Sequence, residues 1–182
     1  MRDNAILGED DAMDLKSRIR EIPDFPVKGV LFRDITTLLK DPTAFRAAIN
    51  NLVERYRDTG IDIIASIESR GHIFAAPLAY ELGAGFVPIR KMGKLPSDKI
   101  NVSYLLEYGA ETLEMHTDAI APGQRVLIVD DLIATGGSAS AATQLVERLG
   151  GEVVGLAFLI ELVDLGGRTH LPNHDIYAVL QY

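Results

Sequence analysis

Hydrophobic positions divide the chain into runs of two kinds. After Asp41-Pro42, residues Phe45, Ala48, Ile49, Leu52, Val53 and Tyr56 recur at helical spacing as far as Gly60. Asp as N-cap followed by Pro at the first helical position predicts a sharp helix start there. Ile61 to Ile67 is mostly apolar and predicts a central strand, and Gly71 to Leu82 follows with a helical pattern. Phe86 to Ile89 predicts a short strand. Val126-Leu127-Ile128-Val129 predicts a buried one. Ser138 to Leu149 places Ala141, Ala142, Leu145, Val146 and Leu149 on one helical face, and Gly150-Gly151 closes it. Val153 to Leu162 predicts a further buried strand, and Ile176 to Tyr182 a last, alternating one. Continuous apolar strands interleaved with helices predict a parallel sheet covered on both faces, in a doubly wound α/β domain.

The remaining segments are less regular. Residues 1–10 read as a loose terminus. Asp11 to Glu21 spaces Met13, Leu15 and Ile19 among charges, predicting a short surface helix. Pro23 to Val30 holds two prolines and a glycine and predicts no regular element. Within it Phe25 is an apolar ring on a stiff loop, which on pattern alone reads as an anchor tucked into the core. Tyr104 to Tyr108 and Glu111 to His116 flank Gly109-Ala110 as a hairpin, in which Glu107 is one acid among others. Leu165-Gly166-Gly167-Arg168 is a turn.

Composition narrows the class. The chain has 182 residues, enough for one domain with a full core, and 47% of them are hydrophobic. No apolar run approaches the ~20 residues of a membrane span. The first residues are polar and acidic, without a secretory apolar region, and the chain contains no cysteine for a disulfide or thiolate site. A cytoplasmic setting is the expectation. The net charge of −8 argues against nucleic-acid binding. It also means that an anionic substrate must be drawn by a local basic cluster. Arg90 to Lys99 supplies one, with Arg90, Lys91, Lys94 and Lys99 in ten residues; by itself such a run reads as a solvated loop.

The chemistry concentrates after the Val126 strand. Asp130-Asp131 stands where open α/β sheets bind ligands, at the carboxyl end of a strand. Thr135-Gly136-Gly137-Ser138 then has the parts of a phosphate cradle: glycines for close backbone approach, hydroxyl donors, and the start of a helix. Carboxylates beside an anion loop make sense for a sugar phosphate, whose ribose hydroxyls donate to the acids. Glu68-Ser69-Arg70-Gly71 repeats the strand–loop–helix arrangement, presenting Ser, Arg and backbone at the same edge of the sheet, and by itself reads about as well as a helix cap. His72, His116, His170 and His174 show no ligand spacing and read as surface residues, with His72 of interest beside Arg70.

VLIVDDLIATGGS resembles the phosphoribosyl pyrophosphate (PRPP) motif of the type I phosphoribosyltransferases. PDFPVKGVLFRDIT, the Leu-Glu-Tyr-Gly ending at Gly109, and Leu-Gly-Gly-Arg with a terminal Leu-Gln-Tyr are similar to the adenine-specific members. The resemblance covers about residues 15 to 182. It implies a type I phosphoribosyltransferase fold: a central, mostly parallel twisted sheet flanked by helices. A single domain is expected, with an N-terminal purine-binding hood over about 1–34 and a core over about 35–182 that carries a flexible loop at 91–103. It implies transfer of the phosphoribosyl group of PRPP to adenine, giving AMP and pyrophosphate, with Mg²⁺ carried by PRPP and no metal held by protein ligands alone. By the same resemblance Phe25 stacks the base while Val27 and Lys28 contact it. Glu107 is the acid–base residue and Tyr108 serves loop closure. Asp130, Asp131, Ala134, Thr135, Gly136, Gly137 and Ser138 hold the ribose and 5′-phosphate, and Glu68, Ser69, Arg70, Arg90, Lys91 and Lys94 the pyrophosphate. A cis peptide is expected at Glu68–Ser69, and a homodimer as the assembly. A 6-oxo purine substrate, or a PRPP-sensing regulator of the same fold, are the alternatives; Phe25, Val27 and Glu107 weigh against the first, and the charge against the second.

Overall fold

The computed structural model describes residues 14–106 and 109–182. The chain divides into two compact units, Met1–Ala48 and Ile49–Tyr182, where the sequence reading draws its inner boundary near residue 34.

In the first unit the surface helix expected over Asp11 to Glu21 is, in its described part, a single 3-10 turn at Lys16–Arg18 followed by a strand. Strand β1 (Arg20–Pro23) pairs antiparallel with β2 (Leu31–Asp34), from Arg20↔Asp34 to Pro23↔Leu31. Cross-strand charges fit this register: Arg20 reaches Asp34 at 2.7 Å and Arg33 pairs with Glu21. The intervening loop turns through Asp24, at φ 57°, and a cis Phe25–Pro26 bond. The Asp24 carboxylate closes it by accepting from the Gly29 N–H at 2.7 Å. A four-residue helix, α1 (Thr36–Leu39), which the sequence reading lacks, starts where Asp34 Oδ1 accepts the Thr36 N–H at 2.9 Å. Helix α2 (Pro42–Tyr56) begins as expected: Asp41 Oδ1 accepts from the backbone of Thr43 and Ala44 at 3.0 and 3.2 Å.

The second unit is built on a seven-stranded sheet. Its strands are β3 (Ile63–Ile67), β4 (Gly85–Lys91), β5 (Lys99–Leu106), β6 (Gly109–His116), β7 (Arg125–Ile133), β8 (Glu152–Glu161) and β9 (Ile176–Gln181), in the order β5-β6-β4-β3-β7-β8-β9. The run from β4 to β9 is parallel, and β5 and β6 add an antiparallel hairpin at one edge. Helix α3 (Gly71–Leu82) follows β3, and α4 (Gly137–Arg148) follows β7. The mixed α/β class with a mostly parallel sheet is therefore as read.

Central strands carry the core. Ile64, Ala65, Val126 to Val129 and Leu156 to Ile160 are buried, as are Phe74, Ala75 and Leu78 of α3 and Ala141, Ala142, Leu145 and Val146 of α4. Burying each larger aliphatic or aromatic side chain contributes roughly 1.5–3 kcal/mol, which fixes the helices to the sheet and the loops between them to its edge. Two further features differ from expectation. Strand β5 begins at Lys99, so within 91–103 only residues 92–98 lie outside strands. Strand β9 does not alternate, because three consecutive residues, Tyr177 to Val179, are half-buried.

Candidate active site

The acidic pair does not end its strand. β7 runs on to Ile133, paired with β8 as far as Ile133↔Glu161, while its ladder with β3 stops at Ser66↔Val129. Asp130 and Asp131 therefore sit where one neighbour has left and the other remains, in a notch at the sheet's edge. Both carboxylates are buried. Asp130 Oδ1 accepts the Asp131 N–H at 2.8 Å, and Asp131 Oδ2 takes Arg70 Nε at 2.8 Å. Burial, and next the charge of Asp131, push the Asp130 carboxyl well above the ordinary range. Burial also raises Asp131, against the pull of the Arg70 guanidinium.

The following loop is built on contact between two glycines. Gly136 has φ 83°, and a Cβ there would lie 2.3 Å from the Gly167 carbonyl oxygen; one on Gly167 would lie 2.4 Å from that of Ala134. No side chain fits between them, so Ala134 to Ser138 packs its backbone on the Gly166-Gly167 turn. That leaves the positive end of the twelve-residue α4 facing the cleft. The Tyr104 ring of β5 closes over this helix start, 3.0 Å from where a Gly137 Cβ would be.

Opposite stands the β3–α3 loop. The Glu68–Ser69 bond is cis, as expected. Glu68 Oε2 accepts from Arg90 Nε at 2.7 Å and Oε1 from the Lys94 ammonium. Burial works against the Glu68 charge, but these two donors outweigh it and hold its carboxyl below the usual range. Glu111 accepts from Lys91 and, at 2.8 Å, from the Tyr104 hydroxyl. The Lys91 bond leads in lowering Glu111, while burial leads in raising Tyr104. His72 Nδ1 lies 3.1 Å from Ser66 Oγ and its ring is edge-on to Phe86. His170 is exposed, and His72, His116 and His174 are partly buried. Burial lowers the His72 pKa.

These parts enclose a cleft of about 640 Å³. It is lined by Glu68, Ser69 and Arg70, by Lys91 and Lys94, by Asp130 and Asp131, and by Ala134 to Ser138. Thus all but one of the residues assigned to PRPP and pyrophosphate meet in one place. The exception is Arg90, which reaches the cleft through Glu68. Sequence reasoning missed Tyr104, Glu111 and Leu113, which also line it. Their signal lies in the hairpin register, which sets Tyr104 opposite Glu111. Phe25, Val27 and Lys28 belong to the first unit. Phe25 is 50% exposed and edge-on to Phe32 at 5.1 Å, so it is no core anchor, and Val27 is 61% exposed. Glu107 and Tyr108 lie outside the described residues.

The chain is similar to known proteins over most of its length. The phosphoribosyl transferase domain family model matches residues 34–181. An adenine phosphoribosyltransferase of Solibacter usitatus is 60% identical over 169 residues, covering 93% of this chain and 98% of its own. The crystal structure of adenine phosphoribosyltransferase from Thermoanaerobacter pseudethanolicus superposes with a TM-score of 0.90 at 52% identity, over 92% of this chain and 98% of that one. The Saccharomyces cerevisiae enzyme, solved with an iminoaltritol bisphosphate and adenine, gives 0.86 at 42% identity, over 91% and 96%.

Proposed function

Because the chain belongs to the adenine phosphoribosyltransferase family, we infer that it is a transferase of purine salvage, which moves the phosphoribosyl group of PRPP to adenine and yields AMP and pyrophosphate. The observation that carries this reading is the convergence, in one cleft, of two buried carboxylates, a backbone phosphate loop at a helix start and a cationic rim.

In this reading Asp130 and Asp131 accept hydrogen bonds from the ribose hydroxyls, and their charge favours the cation that develops at C1′ as pyrophosphate departs. Ala134 to Ser138 hold the 5′-phosphate, so a remote group fixes the reacting carbon. Arg70, Lys91 and Lys94 stabilise the leaving pyrophosphate, with Arg90 behind them through Glu68. Phe25 stacks adenine, Val27 and Lys28 contact it, and Glu107 takes the ring proton as N9 attacks. Tyr108 serves closure of the loop that excludes water.

Magnesium enters as part of the substrate. Such an ion uses one or two carboxylates with phosphate oxygens and water, and it neutralises charge on the departing pyrophosphate. The cleft suits that role in its acids, which include the Asp130–Asp131 pair. A homodimer and a cytoplasmic location complete the proposal. For the first, Ile73 and Tyr80 on α3 and Phe86 on β4 offer exposed apolar surface. No helix among the described residues is long and apolar enough to cross a membrane.

A steady-state assay with PRPP and Mg²⁺ tests the reading. AMP should form from adenine far faster than nucleotides form from hypoxanthine or guanine. Preference for a 6-oxo purine, or salt-sensitive DNA binding without AMP formation, would replace it.

A further inference from the structure

The cleft has an unexpected charge balance. Three cations line it, Arg70, Lys91 and Lys94, against four carboxylates, Glu68, Glu111, Asp130 and Asp131. Each cation is already bonded to an acid: Arg70 to Asp131, Lys91 to Glu111, and Lys94 to Glu68. A pyrophosphate oxygen and a carboxylate oxygen want the same ammonium protons, so they compete for them.

The two lysine pairs are built for exchange. Lys91 and Lys94 are half-exposed, so water reaches both ammonium groups and neither lysine is locked in its pair. Their acceptors are less exposed, at 7% for the Glu68 side chain and 31% for Glu111. A carboxylate so placed is costly to leave unpaired. Neither would be. Glu68 has a second donor in Arg90 Nε at 2.7 Å, on β4, and Glu111 has one in the Tyr104 hydroxyl at 2.8 Å, across the hairpin. Each acid thus combines a donor on a strand with a donor on a long flexible lysine.

We propose that Glu68 and Glu111 are exchange partners for pyrophosphate: Lys94 and Lys91 pass from these carboxylates to the pyrophosphate group and return when it leaves, while Arg90 and Tyr104 keep the acids paired. This rests on the transferase reading and assigns positioning roles to Glu111 and Tyr104. The two acids set how tightly pyrophosphate is held, and therefore how readily the product departs. Two nearby acids also keep the lysines gathered at the rim of an acidic protein.

Binding of inorganic pyrophosphate with Mg²⁺, measured by calorimetry, tests the exchange. Glu111→Gln keeps the shape and removes the competing charge, so affinity should rise about twofold to fivefold, with stronger product inhibition and an unchanged KM for adenine. Tyr104→Phe removes the donor that satisfies Glu111 after Lys91 leaves, so affinity should fall by a similar factor. A purely structural role for the Lys91–Glu111 pair predicts weakening in both variants. Unchanged or weaker binding by Glu111→Gln overturns the proposal. A wild-type protein that makes no AMP from adenine and PRPP would instead sink the transferase reading, whatever the pyrophosphate data show.

Discussion

The Cα of Gly71 faces Asp130 so closely that a Cβ would lie 2.7 Å from its Oδ1 and 2.9 Å from Ser66 Oγ. Helix α3 therefore starts with bare backbone against the buried acidic pair, and the β3–α3 loop and Asp130 share one wall. Gly71→Ala should force the carboxylate or the helix start to move. Overpacking of this kind costs about 1–3 kcal/mol. Chemical denaturation should show that loss, and PRPP affinity should fall with it. An alanine variant with wild-type stability and PRPP binding would mean that the wall yields freely.

Asp130 makes a prediction about pH. Its carboxyl is raised in the folded protein by burial and by Asp131, so above the unfolded pKa of ~3.9 the native state binds more protons than the unfolded one. Stability contributed by this group is then greatest in acid and declines as pH rises. Asp130→Asn retains an oxygen to accept the Asp131 N–H and removes the buried charge. It should raise the thermal midpoint at pH 7, with the gain vanishing toward pH 4, while PRPP binding weakens. Thermal melts across that range check the sign.

The parts of the site that could be read from sequence are those contiguous in the chain. Asp130 to Ser138 carries strand, acids, loop and helix start within one run, and each has its own pattern. Tyr104 and Glu111 had none. Their relation is a cross-strand register, created by the hairpin and visible only once β5 and β6 pair. Gly167 reads only as part of a turn, since its packing requirement comes from Ala134 and Gly136, far off in the chain. The acidic pair looked like a strand end because charge usually stops a buried run, but β8 continues pairing on one side. At the N-terminus helical spacing suggested a helix where cross-strand pairs of Arg20 and Arg33 with Asp34 and Glu21 favour a hairpin.

Gly167→Ala should act at a distance. Its Cβ would meet the Ala134 carbonyl at 2.4 Å and Ile133 Cγ1 at 2.8 Å, in a contact between backbones that cannot rotate away. The Ala134–Ser138 loop must shift. KM for PRPP should rise about tenfold or more, while the thermal midpoint falls by several degrees for a cost of about 1–3 kcal/mol. Steady-state kinetics and melting separate the two effects.

Glu107→Gln should lower turnover by about 10²–10⁴-fold, the usual contribution of a positioned acid–base group. PRPP affinity should stay nearly intact, because the ribose and phosphate contacts are assigned elsewhere. Asp131→Asn should weaken PRPP binding as well, since it loosens Arg70. Wild-type turnover by Glu107→Gln would remove the residue from its proposed role.

Glu161 and Arg168 tie the end of β8 to the turn that packs on the Ala134–Ser138 loop. Arg168 donates from Nε and a terminal nitrogen to the two Glu161 oxygens at 2.6 and 2.7 Å, and its other terminal nitrogen reaches the Ile176 carbonyl at 2.9 Å. Gln181 adds a donor to Glu161 at 2.9 Å. The Arg168 bonds lead in holding the Glu161 carboxyl below its usual range, against burial. For an acid with a lowered folded pKa, the stability is present above the unfolded pKa of ~4.3 and is lost as pH falls through the folded value. Replacing Arg168 by Gln leaves a buried carboxylate with one donor fewer on each oxygen, at a cost of about 1–3 kcal/mol at pH 7. The difference from wild type should shrink as acid protonates Glu161 in both proteins. Because Gly167 adjoins Arg168, the same variant should also raise KM for PRPP more than it lowers kcat. Equal stability of the two proteins at pH 7 would show that the Gln181 and backbone contacts hold the turn without the ion pair.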